Sequence, residues 1–194
     1  MLKQRYSDKV CEAGVDEAGR GCLAGDVYAA AVIFPPEYIN EDINDSKKLT
    51  AARRRELADI IRRDAVAVGV GIATVSEIDE LNILQCSMLA MKRALEQIRK
   101  TTPIDFVIVD GNRFPGVDYA PHATVVKGDA KYLSIAAASI IAKTMRDEAM
   151  VALAKDYPQY QWEVNKGYPT KAHRAAIAEF GTTEHHRLTF KLLP

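Results

Sequence analysis

The sequence has little cysteine: only Cys11, Cys22 and Cys86, with no CxxC pair. That excludes a disulfide framework and a zinc knuckle and predicts a reduced, cytoplasmic protein. It has no excess of charge either, since 26 Lys and Arg balance 26 Asp and Glu. Any grip on a polyanion must therefore come from a local basic face and not from the overall field. No apolar run approaches the roughly 20 residues that cross a bilayer. The opening MLKQRYSDKV has no apolar segment of the secretory kind, so no membrane partner is expected. Repeats, low-complexity tracts and long linkers are missing too. What is present is an ordinary globular composition, 48% hydrophobic and 27% charged over 194 residues. That is enough chain for one sizeable core.

The hydrophobic patterning alternates between strand and helix. VCEAGVD (10–16) and DVYAAAVIF (26–34) read as a hairpin whose second strand is stopped by Pro35-Pro36. TAARRRELADIIRRD (50–64) carries its apolar residues at helical spacing, and AVAVGVGIATV (65–75) alternates as a third strand. Ile83 to Ile98 repeats Leu84, Met88, Met91 and Leu95 on one helical face. IDFVIVD (104–110) has the short apolar run of a buried strand. ATVVKGD (123–129) reads as a fifth strand, 132–156 as a long helix, and Thr170 as the cap of a last helix ending at Gly181. The expected class is α/β: a mixed central sheet covered by helices.

Residues 15–25, VDEAGRGCLAG, contain the most informative ambiguity. Gly19 to Ala24 formally fits the dinucleotide fingerprint, which needs a helix next so that its N-terminus can hold a pyrophosphate. Here a strand follows, so that reading fails on context. No GxxxxGK[ST] loop exists, which excludes a P-loop. The acids Asp16, Glu17, Asp110 and Asp129 fall at the predicted ends of apolar strands. Singly, each has an ordinary use as a hairpin tip, a turn or a helix cap. Together, on strands that should be neighbours, they would crowd negative charge on a buried frame and need a cation. An all-oxygen donor set suits Mg²⁺ or Mn²⁺ rather than Zn²⁺, and such ions serve phosphoryl transfer. Basic residues lie nearby in sequence: Lys47 and Lys48 in DSKKL, Arg53 to Arg55, Lys127 and Lys131 around Asp129, and Lys166 before Tyr168. Arg53 to Arg55 also fit a plain solvated helix face. Tyr168, between Gly and Pro, could serve as a stacking platform or simply be a packed loop residue.

VDEAGRG (15–21), DSKKL (45–49), VDG (109–111), KGD (127–129), SIAAASIIAK (134–143), RD (146–147) and KGYPT with His173 occur in one order along the chain. In that order they resemble the type 2 ribonuclease H (ribonuclease HII) family from about residue 10 to 190. The resemblance implies a ribonuclease H-like fold: a mixed central β-sheet flanked by helices, with a small helical C-terminal part. Residues 1–194 would form one catalytic domain, with about 157–194 as a helical appendage. It implies hydrolysis of the RNA strand in RNA–DNA hybrids and incision 5′ of ribonucleotides embedded in duplex DNA, leaving 5′-phosphate and 3′-hydroxyl ends. Asp16, Glu17, Asp110 and Asp129 match the family's metal-binding acids, with Mn²⁺ or Mg²⁺ as cofactor. Gly19, Arg20 and Gly21 match the segment that reads the ribose 2′-hydroxyl, the group that separates RNA from DNA. Tyr168 matches the tyrosine that stacks on the sugar at the RNA–DNA junction, and Lys47 and Lys48 match a loop near the phosphate backbone.

The chain departs from the pattern at Cys22 and Asp26, where family members commonly have proline. Altered loop stiffness is expected there, with unaltered chemistry. HRLTF (186–190) resembles a terminal HRxSF block. No QxxLxxFF-like segment suggests recruitment by a sliding clamp, and a monomer is expected. Asp147, although near family blocks, reads as helix surface or an ion-pair partner. Two rival classes remain at this level. A related acid-cluster nuclease would also cut all-DNA substrates, and a non-catalytic binding module would bind without divalent ions.

Overall fold

The computed structural model describes residues 2–44, 46 and 49–193. Its centre is one five-stranded sheet in the order β3-β2-β1-β4-β5. The strands are β1 (Glu12–Ala18), β2 (Val27–Ile33), β3 (Ala67–Ala73), β4 (Phe106–Asp110) and β5 (His122–Val125). β1 pairs antiparallel with β2 and parallel with β4, which makes the sheet mixed. The helices are α1 (Ala51–Asp64), α2 (Val75–Leu81), α3 (Ile83–Arg99), α4 (Leu133–Leu153), α5 (Trp162–Asn165) and α6 (Lys171–Phe180). Among the described residues no helix is long and apolar enough to cross a membrane.

Side-chain alternation splits the core into two layers. Val15, Ala29, Ala31 and Val109 face α3, in a cluster with Ala90, Ala94 and Ile98. Ala30 and Val32 face the opposite side, with Ala136, Ala137 and Ile140 of α4 and Leu57 and Ile61 of α1. The alanine run of β2 follows from this arrangement, because helices press on both of its faces. α4 is apolar on almost every side and sits between the sheet and α1, as expected for a helix buried all round. Its closest approach to the sheet is at Gly14, where a Cβ would lie 2.4 Å from the Ser134 backbone. Gly14→Ala is therefore expected to cost about 1–3 kcal/mol, the usual range for overpacking. Urea unfolding of the two proteins measures it, and an unchanged midpoint would contradict this packing.

One predicted element needs correction, and two helices were not foreseen. The fifth strand stops at Val125, and Lys127 takes a left-handed conformation (φ 56°) that turns the chain into a 3₁₀ turn at Gly128–Ala130. Asp129 thus sits in that turn and neither ends a strand nor caps α4, whose N-cap is Tyr132. α2 falls in a stretch left without an element. Its signal was a capping box, in which Thr74 accepts from the Glu77 amide and the Glu77 carboxylate accepts from the Thr74 amide. α5 has one turn and is too short for periodicity to show. The residues after α4 build a further cluster in which Tyr160, Trp162 and Ile177 pack with Leu23 and Ala24. The end of the chain is thereby joined to the glycine-rich loop.

Candidate active site

The parallel register Val15↔Val109 places the next residues, Asp16 and Asp110, side by side at the ends of the two central strands. Asp16 is buried and its Oδ1 accepts the Glu17 amide at 2.7 Å. Burial pushes the Asp16 carboxyl well above the usual range, and Glu17 and Asp110 push it further, against a hydrogen bond from Ser139 of α4. Glu17 is also raised, chiefly by burial, while Arg20 opposes the shift from 3.1 Å. Asp110 Oδ1 accepts the Gly128 amide at 2.6 Å, which ties the 3₁₀ turn carrying Asp129 to the end of β4.

Asp16, Glu17, Asp110, Gly19, Arg20, Gly21 and Tyr168 line one open cleft of about 230 Å³. Asp129 is buried one residue beyond the Gly128–Asp110 bond and is not part of that lining. Lys47 and Lys48 lie outside the described residues; the described Ser46 bonds Ser139 at 3.0 Å and lines the cleft. Arg54 donates to the Ser46 and Leu49 carbonyls. Arg54 is therefore no solvated face residue, unlike the exposed Arg55. Asp147 receives Arg54 and Lys143 at 3.2 and 2.8 Å, a buried ion-pair partner and not a surface group.

Sequence reasoning missed what holds the glycine-rich loop. Two arginines, both fully buried, donate into its carbonyls. Arg146 of α4 bonds the Ala24 and Asp26 oxygens and reaches Lys166 O at 2.9 Å. Arg187 bonds Arg20 O at 3.0 Å and Gly25 O with two nitrogens. Gly19 has φ +99°, and a Cβ there would lie 2.1 Å from Arg146 Nε, so glycine is required both for the turn and for the arginine beneath it. Backbone bonds complete the frame: Leu23 N to Gly167 O, Gly25 N to His185 O, and Arg187 N to Leu23 O. The loop is bracketed by segments more than 140 residues away, a relation without local periodicity. Asp26, for its part, accepts the Val75 amide at the start of α2 at 2.9 Å, and the buried Cys22 thiol shares a hydrogen bond with Tyr168.

The donor chemistry fits a hard divalent cation. Asp16 is a buried carboxyl beside two further carboxylates, and every side-chain donor in the set is oxygen. Among the described residues no three His, Cys, Asp or Glu side chains are drawn into a ready-made ion cage. Mg²⁺ sites of this kind typically take one or two carboxylates and complete their shell with water and substrate phosphate.

A mixed five-stranded sheet with carboxylates at the ends of its central strands defines a ribonuclease H-like fold. The sequence profile of ribonuclease HII matches residues 13–193. The ribonuclease HII of Phocaeicola vulgatus is 58% identical over 193 residues, spanning 100% of this chain and 95% of that protein. In solved structures, the Archaeoglobus fulgidus ribonuclease HII, in complex with PCNA, superposes with a TM-score of 0.75 at 26% identity. It covers 94% of this chain and 95% of that one. Bst-RNase HIII in complex with Mn²⁺ shares the fold at a TM-score of 0.76 and 17% identity, covering 93% of this chain and 67% of that one. The chain belongs to the ribonuclease HII family. Its activity is that of the family, endonucleolytic hydrolysis of RNA in RNA–DNA hybrids.

Proposed function

We propose that this enzyme incises duplex DNA 5′ of a single embedded ribonucleotide, using divalent ions held by Asp16, Glu17, Asp110 and Asp129. The observation that carries the reading is the shared cleft, in which the ribose-reading turn Gly19–Gly21 and the carboxylates Asp16, Glu17 and Asp110 face one space. When bound there, two ions, Mg²⁺ or Mn²⁺, would supply Lewis-acid polarisation of the scissile phosphate and stabilise the attacking and leaving oxygens of an in-line displacement.

The chain's own groups set the geometry. Asp16 and Asp110 are fixed by adjacent strands, and the Glu17 amide and the Gly128 amide orient one oxygen of each. Gly19 and Gly21 let the backbone approach a ribose closely, so that amide and carbonyl groups can read the 2′-hydroxyl. Arg20, with its guanidinium half exposed beside Glu17, is placed to meet a phosphate. Tyr168 is 38% exposed, and the Lys143 ammonium lies 5.0 Å from its ring centroid. The Arg146 guanidinium also lies 5.8 Å from the ring centroid, and the exposed part of the ring is assigned to the sugar at the junction. Lys47 and Lys48, beside the anchored Ser46, are assigned to the phosphate backbone. The products are a 5′-phosphate and a 3′-hydroxyl.

Tyr168→Ala tests the stacking role. Incision at a 5′-RNA–DNA-3′ junction should fall about five- to a hundredfold, the weight of one stacking platform, with duplex affinity much less affected. Equal loss in binding and cleavage would count against it. The activity itself is tested by incubating a duplex containing one ribonucleotide with enzyme and Mg²⁺ or Mn²⁺. No cut beside the ribonucleotide would overturn the proposal.

A further inference from the structure

His173 and His186 are fully buried, touch neither cleft nor solvent, and form one chain of hydrogen bonds whose protons can be placed. The Thr183 amide donates to His186 Nδ1 at 3.0 Å, so the His186 proton sits on Nε2. The Trp162 indole donates to His173 Nε2 at 3.0 Å, so the His173 proton sits on Nδ1. That Nδ1–H then meets the Tyr168 carbonyl oxygen at 3.0 Å, and His186 Nε2–H points at His173 Nε2 from 3.3 Å. The single lone pair of His173 Nε2 goes to the shorter indole bond, leaving the His186 Nε2–H contact as the weaker one. The Thr183 Oγ1 also lies 3.1 Å from His186 Nδ1, and two neutral rings suit this arrangement. Burial keeps both rings neutral, with His186 pushed down to about 4 and His173 also lowered. The backbone of His186 meanwhile bridges to Ala24, within the loop that follows Gly19–Gly21.

We propose that His173 and His186 are positioning residues that fix the Tyr168 backbone relative to the Gly19–Gly21 turn, so that selectivity at the junction depends on two imidazoles that never touch substrate. The functional half rests on the reading of Tyr168 given above; the positional half does not. The arrangement uses both nitrogens of His173: Nδ1–H donates to the Tyr168 carbonyl while Nε2 on the opposite side accepts the Trp162 indole proton and faces His186.

Two substitutions divide these tasks. His173→Asn keeps a donor near the Nδ1 position and loses the Nε2 acceptor; His173→Gln keeps a polar group near Nε2 and loses the bond to Tyr168. Trp162 is the only tryptophan in the chain, so its emission reports the Nε2 side and, with thermal unfolding, shows that each variant folds. Hydrogen exchange of residues 166–170 reports loop position, and the ratio of junction incision to uniform-hybrid cleavage reports function. The expected result is faster exchange and a three- to tenfold lower ratio in His173→Gln, about the weight of one neutral hydrogen bond. In His173→Asn both should stay near wild type while Trp162 emission shifts. Exchange that is unchanged in His173→Gln, or equally raised in both variants, overturns the proposal. If exchange separates the variants as stated but Tyr168→Ala leaves the ratio intact, the positional role stands and the stacking reading of Tyr168 fails.

Discussion

Asp110→Asn should lower cleavage of an RNA–DNA hybrid by more than about a hundredfold while leaving hybrid binding in place. Groups that merely orient a metal ligand already cost about 10–100-fold when lost, so a direct ligand should exceed that range. Asparagine is the informative replacement because its Oδ1 can still accept the Gly128 amide that Asp110 accepts at 2.6 Å. The turn that carries Asp129 then stays tied, and only the charge is removed. The same substitution should stabilise the metal-free protein. Asp16 has its pKa raised by burial, Glu17 and Asp110. A group raised on folding adds stability below its unfolded pKa and loses that stability as pH rises through the folded value. At neutral pH the cluster therefore works against the fold, and neutralising Asp110 should add about 1 kcal/mol in EDTA, less at pH 4. Unfolding curves at both pH values check this. A destabilised variant at neutral pH would mean that Asp110 is held by favourable contacts and not by repulsion.

Arg187→Ala should have the largest effect on stability. The guanidinium is fully buried, donates to Arg20 O and Gly25 O, and lies over the Phe190 ring at 5.2 Å. Burial pulls its pKa down to about 10, which leaves it charged at neutral pH. Truncation strands the loop carbonyls without donors in a dry environment. Leaving the Arg20 and Gly25 carbonyls buried without a donor costs about 1–3 kcal/mol each, so a loss of about 3 kcal/mol is expected, a fall of about 6–12 °C in Tm for a chain of this length. Lysine should rescue little, because one ammonium cannot reproduce the planar fork. Thermal unfolding decides it, and a fall below 2 °C would show that the loop stands without the arginine. Incision should fall as well, since the Gly19–Gly21 turn loses its support.

The four acids were legible in the sequence because each stands beside a readable element, at or just past the end of an apolar strand. Asp16 and Asp110 need only the parallel register of β1 and β4 to meet. Asp129 was placed less well, since a left-handed Lys127 and a 3₁₀ turn leave no hydrophobic period to read. The main helices α1 and α3 were legible from periodicity, α4 as a long helical run, and α6 from its Thr170 cap. The short α2 and α5 were not, because a capping box or a single turn has little pattern. The scaffold of the glycine-rich loop was invisible for a different reason. Arg146 and Arg187 act through backbone oxygens more than 100 residues away. His173 and His186 act through each other and the Tyr168 carbonyl without any helical or strand period, and composition carries no trace of such contacts. Charge runs misled in the same way: Arg54 reads like its neighbour Arg55, and only packing separates the buried ion pair from the exposed one.

The central claim is that one short segment both reads the ribose, through Gly19–Gly21, and presents two of the four proposed metal-binding acids, Asp16 and Glu17. Its most direct measurement uses two duplexes of identical sequence, one all DNA and one with a single ribonucleotide, each incubated with enzyme and either Mg²⁺ or Mn²⁺. The account predicts one cut on the 5′ side of the ribonucleotide, dependent on the ion, and no cut in the all-DNA duplex. Cleavage of both duplexes alike, or of neither, would contradict it.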